Sequence, residues 1–517
     1  MKNLYKNNYL GSLYLLFLGM ITSFSLPPYN YFIINFFTFS LFFIFIINQK
    51  KFLIKKFSYF KYGWLFGFGY FFASLYWITI ALTFDENFKI LIPISLILIP
   101  AFLAFFFGLA LYIFSFFINY ANISLILIFS VLFGIAEFIR GNIFTGFPWN
   151  LFAFSFSKNL EFIQILSILG TYGFNMICIT FFLMPAAFML RKSKHEIFVC
   201  LFFIFIAAFF LVFGNEKLKN KDLNNLKKNN FIIKIVSPKI DINRFYNIEN
   251  EKKIIEDLIL LSKPNPDIPT IFIWPEGVLA STNLENIKQY KEKFIKNFSK
   301  NHLIILGISD IIYKDGLQEI YNSLVVVDKN LDIQNLYYKN KLVPFGEFLP
   351  FENYLKKIGL RSITHGYQSF TSSKARKIIN LNNEYFNLKF LPLICYEIIY
   401  SGKLYKNSNF DFIINISEDG WFGSSVGPHQ HFVHSIYRSI EEGKNIIRSA
   451  NNGISAYINN QGEIIKEIES TQSGVIEISK YNKQRKTIFS KIGNKMFFYL
   501  LIIYISFIFF INKRREK

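Results

Sequence analysis

Long apolar stretches limit what this chain can fold into. A helix that crosses a bilayer needs about 20 predominantly apolar residues. Eight stretches approach that length, at about 9–26, 30–48, 62–83, 89–118, 122–139, 160–190, 196–213 and 496–511. Because hydrocarbon offers no partners to unpaired backbone groups, such stretches can cross only as helices. The sequence therefore predicts seven membrane helices, a long interval and one last membrane helix.

The first stretch also resembles a signal peptide, since Lys2 and Lys6 precede its apolar residues. A signal peptide would be followed by a cleavage site made of small residues. Instead, the segment "SLPPYN" (25–30) leads directly into the second apolar stretch. We therefore expect an uncleaved membrane helix.

The connecting loops predict the orientation of the chain. Lys and Arg are concentrated in "QKKFLIKKF" (49–57), "RKSKHE" (191–196) and the tail "KRREK" (513–517), whereas "SLPPYN" and "TFDENFK" (83–89) carry little positive charge. Basic loops tend to remain in the cytoplasm. With eight helices, this alternation places both chain ends in the cytoplasm and the long interval on the extracytoplasmic side.

The uneven distribution of apolar residues predicts the domains. The chain is 52% hydrophobic and 19% aromatic, with 66 Phe, which is more than soluble domains usually carry. These residues are crowded into the beginning and the end of the chain. We expect a membrane domain of seven helices at 1–213, an extracytoplasmic domain at 214–495, and an eighth helix with a basic tail at 496–517.

The net charge of +21 at first suggests nucleic-acid binding, because clustered Lys and Arg can neutralise phosphates. Much of the excess, however, lies in short loops beside apolar stretches, where these residues set orientation. We therefore expect membrane lipids, and no nucleic acid, as partners.

One connector holds two ionisable residues near membrane depth. Glu137 and Arg140 are three residues apart, so on a helix they share a face and can pair. Ionisable residues at such depth often mark functional sites. The alternative is an interfacial salt bridge that ends the fifth helix. The following segment, from Thr145 to Trp149, is typical of an aromatic loop at the outer interface.

Residues 231–480 alternate between short strands and helices. The strand-like runs are "FIIKIVS", "TIFIWPE", "HLIILGI", "NSLVVVD", "FLPLICYE", "DFIINIS" and "GISAYI", and helices are expected at 248–262, 284–300 and 432–448. Apolar strands that alternate with helices predict a sheet covered by helices, an α/β layered domain.

Three chemically useful side chains follow predicted strands. Glu276 ends "IFIWPE", Lys339 ends "LYYK", and Cys395 ends "LPLIC". Sites tend to form beyond the carboxyl ends of buried strands. A thiol attacks only as the thiolate. In this arrangement Glu276 can take the thiol proton, and Lys339 can favour the thiolate and stabilise an oxyanion, with a backbone N–H near Tyr396 as second donor. The trio is suited to acyl transfer through a thioester.

Each of the three residues also has an ordinary structural explanation. A cysteine at a strand end is often inert, and a glutamate after proline is often a loop residue. Lys339 lies in a segment rich in Lys and Asn, where solvated charge is common. Spacing alone leaves both interpretations open.

The motifs resemble those of a known family. "WPE", "K…PFGE" and "CYE" are similar to the Glu-Lys-Cys signature of the nitrilase (carbon–nitrogen hydrolase) superfamily. The seven-plus-one apolar stretches, together with "TGFPWN" and "NISEDGWFG", resemble the apolipoprotein N-acyltransferase family within it. The resemblance covers nearly the whole chain.

This resemblance implies a fold, an activity and a location. The fold would be a polytopic α-helical membrane domain plus a nitrilase-like α-β-β-α sandwich, with the sandwich on the periplasmic side of a bacterial inner membrane. The activity would move an acyl chain from a glycerophospholipid to the N-terminal α-amino group of an apolipoprotein's diacylglyceryl-cysteine. We expect a monomer.

The resemblance also implies roles for residues of the matching motifs. Glu276 would be the base, Lys339 the oxyanion stabiliser and Cys395 the nucleophile, as the trio itself suggests. Glu347 of "PFGE" would support them. Four further residues would bind or support substrate: Tyr396 and Glu397 in the cysteine turn, and Trp421 and Tyr246 on loops. Simple aromatic packing is the alternative for Trp421.

The sequence departs from the family pattern at 236–247. The family usually has a Gln-Gly pair and then a Trp on a mobile arm, where this chain has Ser237-Pro238 and, near the Trp position, Tyr246. "NISEDGWFG" is also slightly altered. These departures affect the arm and the substrate contacts rather than the chemistry.

Two other functions are weighed against the transferase. One is a membrane-tethered amidase of the same superfamily, and the other is a lipid-binding or transport protein with a decayed hydrolase domain. The intact trio argues against the second. No metal or organic cofactor is expected, because His429, His431 and His434 lack a matching carboxylate or Cys cluster in the sequence. We expect these histidines to open a helix.

Overall fold

The computed structural model describes residues 7–52, 55–219, 226–246, 251–355, 357, 369–402, 404–405, 409–482 and 485–513. The chain forms two compact units. One comprises residues 1–79, 85–221 and 487–517, and the other comprises residues 80–84 and 222–486. The helix Lys194–Lys219 continues through the boundary expected at residue 213.

The first unit is helical. Its α-helices are Asn8–Thr22, Ile33–Gln49, Lys56–Leu75, Ile92–Phe114, Asn122–Arg140, Leu160–Ile163, Leu166–Phe182, Met184–Leu190, Lys194–Lys219, Ile488–Ile492 and Lys495–Lys513. Within the described residues, seven helical segments are long and apolar enough to cross a membrane: Ile33–Phe52, Lys56–Thr83, Glu86–Phe117, Asn122–Arg140, Leu166–Leu190, Glu196–Lys219 and Lys495–Asn512. The protein is a membrane protein, and these seven segments match seven of the eight stretches in the sequence.

The remaining stretch, at 9–26, is shorter as a helix than expected. It forms the 15-residue helix Asn8–Thr22 and then a 3-10 turn, Ser23–Ser25. Since a crossing helix needs about 20 residues, an eighth membrane helix stays a prediction.

Small and aromatic residues hold the helices of this unit together. Lipid tails are as apolar as the helix surfaces, so helices associate through close packing rather than through the hydrophobic effect. The rings of Phe42 and Phe66 stack with centroids 4.1 Å apart. A Cβ atom at Gly63 would lie 2.9 Å from the carbonyl carbon of Phe107, so this close approach of two helices requires glycine.

The predicted pairing of Glu137 and Arg140 is confirmed. Arg140 Nε donates to Glu137 Oε2 at 2.8 Å, and both side chains are buried. Arg140 also donates to the carbonyl of Phe147 and lies over the ring of Phe71. The pair therefore ties the end of its helix to the following loop. Trp149, in that loop, is 3% exposed, so it packs inside the unit instead of on its surface.

The second unit contains two six-stranded sheets. The strands are β1 (Leu226–Ser237), β2 (Thr270–Ile273), β3 (His302–Lys314), β4 (Leu317–Val327), β5 (Ile333–Tyr338), β6 (Ile379–Asn382), β7 (Asn387–Ile394), β8 (Phe412–Glu418), β9 (Asn445–Asn451), β10 (Ser455–Ile458), β11 (Ile464–Ile468) and β12 (Gly474–Asn482). Their order is β12-β1-β2-β3-β4-β5 in one sheet and β11-β10-β9-β8-β7-β6 in the other. In each sheet three neighbouring strands are parallel, β1–β2–β3 and β7–β8–β9.

The two sheets face each other and helices cover their outer sides. Ser449 Oγ, on β9, donates to the carbonyl of Val236, on β1, at 2.8 Å. The α-helices of the unit are Glu251–Ser262, Lys291–Asn297, Glu352–Leu355 and Gly427–Glu442. The first two pack apolar residues against Phe272 and Trp274 of the first sheet, and Gly427–Glu442 contacts β9 and β10 of the second. This is the expected α-β-β-α sandwich.

The seven predicted strands are all present, whereas one predicted helix is wrong in its second part. The helix expected at 432–448 ends at Glu442, because Gly443 adopts a left-handed conformation with φ of 63° and caps it. The next residues form β9, whose positions are all buried between neighbouring strands. Sheet pairing here overrides the helical pattern. The predicted start at residue 248 lies outside the described residues.

Candidate active site

Cys395 lies at a sharp turn directly after β7. Its φ is 48°, a left-handed value that is uncommon outside glycine, and the 3-10 turn Cys395–Ile399 follows. Residues held in such conformations cost about 1–3 kcal/mol each and cluster at functional sites. The side chain is nearly buried, with 8% exposure. The other two free cysteines, Cys178 and Cys200, are buried in the helices of the membrane unit.

Lys339 lies between two carboxylates at the end of β5. Its Nζ is 3.2 Å from Glu276 Oε1 and 2.7 Å from Glu347 Oε1. Asn322 Nδ2 donates to the same two oxygens, at 2.7 Å and 3.0 Å. The second oxygen of Glu276 accepts from the backbone N–H of Glu418 at 3.0 Å. Because every oxygen has a fixed donor, the carboxylates and the ammonium group are held in one orientation.

The charges around Lys339 change two pKa values. Burial by itself would lower the pKa of Lys339, but the carboxylates of Glu276 and Glu347 raise it above the usual value. Burial, together with the charge of Glu276, raises the pKa of the Cys395 thiol, and Lys339 only partly opposes this. The resting site therefore holds a neutral thiol beside a charged Lys–Glu pair. The thiol is not a preformed thiolate, so its proton must move when substrate arrives.

Glu397 ties the cysteine turn to the lysine loop. Its carboxylate accepts from the hydroxyl of Tyr337 at 2.9 Å and from the backbone N–H groups of Asn340, at 3.0 Å, and Ile394, at 2.9 Å. These donors come from the chain next to Lys339 and from the residue before Cys395. Glu397 is fully buried. Its hydrogen bonds hold the segment around Lys339 and the segment before Cys395 in a fixed relative position. Tyr396, also buried, packs its ring edge-on against Tyr400.

A buried ion pair that the sequence did not indicate joins the 3-10 turn Ile242–Phe245 to this site. Arg244 pairs with Glu418 and donates from Nη2 to the carbonyl of Gly277 at 2.9 Å. Glu418 in turn holds Glu276 through its backbone N–H. The partners are far apart in sequence, so no local motif could reveal them.

Three aromatic side chains pack together close to Glu418 in the sequence or in space: Trp421, Phe245 and Phe84. The ring of Trp421 is half-buried, stacks on Phe245 with centroids 5.2 Å apart, and meets Phe84 edge-on at 6.0 Å. Tyr246, the residue aligned with the family's arm, is half-buried, and its backbone N–H donates to Asn243. The aromatic packing weighed as the alternative for Trp421 is present, with Phe245 as its stacking partner.

The reasoning that excluded His431 from a cluster with a carboxylate and a cysteine is wrong. Ligand atoms of Cys395, Asp419 and His431 lie within 4.8 Å of one another, and all three residues are buried. His431 does lie in a helix, as expected, near the start of Gly427–Glu442. A spacing analysis could not detect this group, because the residues come from three different elements.

Asp419 is already surrounded by donors. Its Oδ1 accepts from Ser417 Oγ at 2.7 Å and lies 2.9 Å from His431 Nδ1, and its Oδ2 accepts from Arg448 Nη2 at 2.7 Å. Burial alone would raise the pKa of Asp419, but Arg448 and His431 lower it well below its usual value. Burial lowers the pKa of His431, and Asp419 opposes this. The cation of Arg448 therefore compensates the buried negative charge of Asp419.

Known proteins are similar to this chain over nearly its whole length. A model of the apolipoprotein N-acyltransferase N-terminal domain matches residues 18–184, and a carbon-nitrogen hydrolase model matches residues 271–479. The apolipoprotein N-acyltransferase of Rickettsia prowazekii is 31% identical over 504 residues, with 96% of this chain and 97% of that protein covered. The protein of the same name from Rhizobium rhizogenes is 29% identical over 513 residues, with 96% and 94% covered.

Solved structures of lower similarity also match. One is Nit3 of Saccharomyces cerevisiae, a member of branch 10 of the nitrilase superfamily, with 15% identity and a TM-score of 0.33. The match covers 49% of this chain and 90% of the Nit3 chain.

Proposed function

The chain belongs to the apolipoprotein N-acyltransferase family, and we propose that it moves an acyl chain from a membrane phospholipid to the N-terminal α-amino group of a diacylglyceryl-cysteine apolipoprotein. The relatives that carry this name match the chain over nearly its whole length. The observation that carries the proposal is a buried group in which Lys339, after β5, pairs with Glu276, after β2, and with Glu347. The charges of Glu276 and Lys339 act on Cys395, which follows β7 of the other sheet.

In the first half of the proposed reaction the thiol becomes acylated. Glu276 takes the proton from Cys395, and the thiolate attacks the ester carbonyl of the phospholipid. Lys339 and the backbone N–H of Tyr396 stabilise the oxyanion. The bond between the acyl carbon and the glycerol oxygen breaks, and Glu276 returns the proton to the lysophospholipid alkoxide. The raised pKa of the thiol supports a proton transfer that occurs only when substrate is bound.

In the second half the acyl group passes to the amine. The neutral α-amino nitrogen attacks the thioester, and Glu276 takes a proton from it. The carbon–sulfur bond breaks and Cys395 leaves as the thiolate, which recovers the proton. Glu347 keeps Lys339 in position through both halves. This role is supported by the 2.7 Å contact between their charged groups.

A membrane setting suits this chemistry. Removing an acyl chain from the bilayer costs about 0.8 kcal/mol per CH₂, so a site at headgroup level avoids a large penalty. We place the protein in a bacterial inner membrane, with residues 214–495 in the periplasm and both termini in the cytoplasm, as loop charges predict. Trp421 and Tyr246 would contact the acyl donor or exclude water. A monomer suffices, because one chain supplies every proposed site residue.

The experiment is to incubate purified protein with phospholipid alone and to measure its intact mass. A stable adduct of one acyl chain, mapped to Cys395 and absent from Cys395→Ala, is expected. Transfer of that chain to a diacylglyceryl-cysteine peptide should then discharge the adduct. Steady release of free fatty acid without an adduct would mean that water is the acceptor, and a hydrolase would replace the transferase.

A further inference from the structure

The carbonyl of Cys395 has a buried partner that the reaction above does not use. His431 Nε2 lies 3.3 Å from this oxygen, and Asn415 Nδ2 lies 3.5 Å from it. His431 is fully buried. The contact is therefore shielded from water, and it joins the helix Gly427–Glu442 to the turn that carries the nucleophile.

We propose that His431, held by Asp419 and Arg448, is a positioning residue that acts through the peptide between Cys395 and Tyr396. It donates from Nε2 to the Cys395 carbonyl and thereby fixes and polarises the peptide whose N–H stabilises the oxyanion. This inference rests on the proposed function, because the oxyanion belongs to that reaction.

The surroundings of His431 place a proton on Nε2. The Cys395 carbonyl can only accept, so a bare Nε2 would set two lone pairs against each other. Nδ1 lies 2.9 Å from Asp419 Oδ1, an acceptor, and 3.1 Å from Arg448 Nη2, a donor. A ring with protons on both nitrogens donates to Asp419 and to the Cys395 carbonyl. A neutral ring protonated on Nε2 keeps the contact with the carbonyl while Arg448 donates to Nδ1.

A bond at the carbonyl affects the N–H of the same peptide. The peptide unit is planar, so an oxygen fixed on one side also fixes the direction of the N–H on the other. A hydrogen bond to the oxygen polarises the amide and strengthens it as a donor by about 10–30%. This peptide follows the left-handed φ of 48° at Cys395 and begins the 3-10 turn, so the direction of its N–H depends on how its carbonyl is held.

Asp419 is connected to Cys395 through two of its hydrogen-bond partners, Ser417 and His431. Ser417 Oγ donates to Asp419 and also interacts with the Cys395 side chain, whereas His431 reaches the backbone carbonyl. Substitutions at His431 therefore remove the contact with the Cys395 carbonyl and leave the contact between Ser417 and the Cys395 side chain in place.

The test compares His431→Gln with His431→Asn. The amide nitrogen of glutamine can occupy the place of Nε2 and donate to the Cys395 carbonyl, whereas the shorter asparagine reaches only toward Asp419 and Arg448. Removing an oxyanion donor costs about 10²–10³-fold in rate, and a weakened donor should cost less. We expect His431→Asn to acylate Cys395 from saturating phospholipid about 10-fold or more slowly than wild type, and His431→Gln to recover most of the rate.

Alkylation of Cys395 by iodoacetamide separates a role in positioning the peptide from a role in ionising the thiol and from a role in folding. Alkylation needs the thiolate but forms no oxyanion, so its rate and pH profile should be unchanged in His431→Asn. The matched control is His429→Gln, because His429 is a half-exposed residue of the same helix. Equal loss of acylation and alkylation would assign His431 to the thiol or to folding, and an unchanged acylation rate in His431→Asn would also overturn the inference. If wild-type protein forms no adduct, the proposed function itself fails.

Discussion

Replacing Glu347 by glutamine tests whether this carboxylate holds Lys339 in its working position. Glu347 accepts from Lys339 Nζ at 2.7 Å, from Asn322 Nδ2 at 3.0 Å and from the backbone N–H of Val343 at 2.9 Å. Glutamine has nearly the same shape, but only one of its two terminal atoms can accept. Either Val343 or the Lys339–Asn322 pair must then face an NH₂ group.

The magnitude follows from the bonds that are lost. A hydrogen bond to a charged group contributes about 1.5–3 kcal/mol, and a buried donor without an acceptor costs about 1–3 kcal/mol. Lys339 keeps the carboxylate of Glu276 at 3.2 Å, so its charge stays compensated. The loss should therefore be about 3 kcal/mol, or about 10²-fold in rate if Lys339 is displaced in the transition state.

The assay is the initial rate at which phospholipid acylates Cys395, followed by intact mass. Thermal unfolding in the same detergent shows how much of the effect is on stability. Glu256→Gln is the matched control, because Glu256 pairs with Lys293 on the surface, where water screens such pairs and they contribute little. That variant should acylate at the wild-type rate.

Wild-type acylation and stability in Glu347→Gln would refute this reasoning. It would show that Asn322 and Glu276 alone position Lys339. A loss of stability without a loss of rate would assign Glu347 to folding only.

Four further outcomes are expected. Cys395→Ala should abolish activity and Cys395→Ser should nearly do so, since a hydroxyl is far less acidic than a thiol, whereas Cys178→Ala and Cys200→Ala should be nearly silent; a comparable loss in Cys178→Ala would identify the wrong nucleophile. Glu276→Gln should slow acylation of Cys395 by about 10²–10⁴-fold, the usual contribution of a positioned base, and a rate near wild type would exclude that role. Because the pKa of the Cys395 thiol is raised, its alkylation rate should keep increasing above pH about 8.5, the ordinary thiol pKa; a plateau at lower pH would contradict the neutral resting thiol. A reporter fused after Lys517 should be active in the cytoplasm, and activity only in the periplasm would reverse the orientation.

Local sequence patterns were sufficient to predict the membrane segments and most strands of the sandwich. Seven apolar stretches became helices long enough to span, because apolar composition over such a length is a local property. The strands "TIFIWPE" and "FLPLICYE" were recognisable for the same reason, and they place Glu276 and Cys395 at strand ends. The pairing of Glu137 with Arg140 followed from helical spacing alone.

The limit of one helix depended on tertiary packing. The pattern at 432–448 is helical in period, but burial between β8 and β10 makes its last residues a strand. The α-helix in the stretch at 9–26 stops at Thr22, where Ser23 and Ser25 follow in the sequence. Only at 432–448 do neighbouring strands decide where the helix ends.

The surroundings of Cys395 were decided only by the tertiary structure. The sequence by itself supplied Glu276, Lys339 and Cys395 as reactive types at strand ends, and the structure brings Lys339 to both glutamates. Asp419, His431 and Arg448 lie on a loop, a helix and a strand, and they meet only because the second sheet and its helix pack together. Contacts between residues distant in sequence leave no local periodicity or motif. Whether a buried histidine is inert or holds the turn of a nucleophile is therefore determined by the fold.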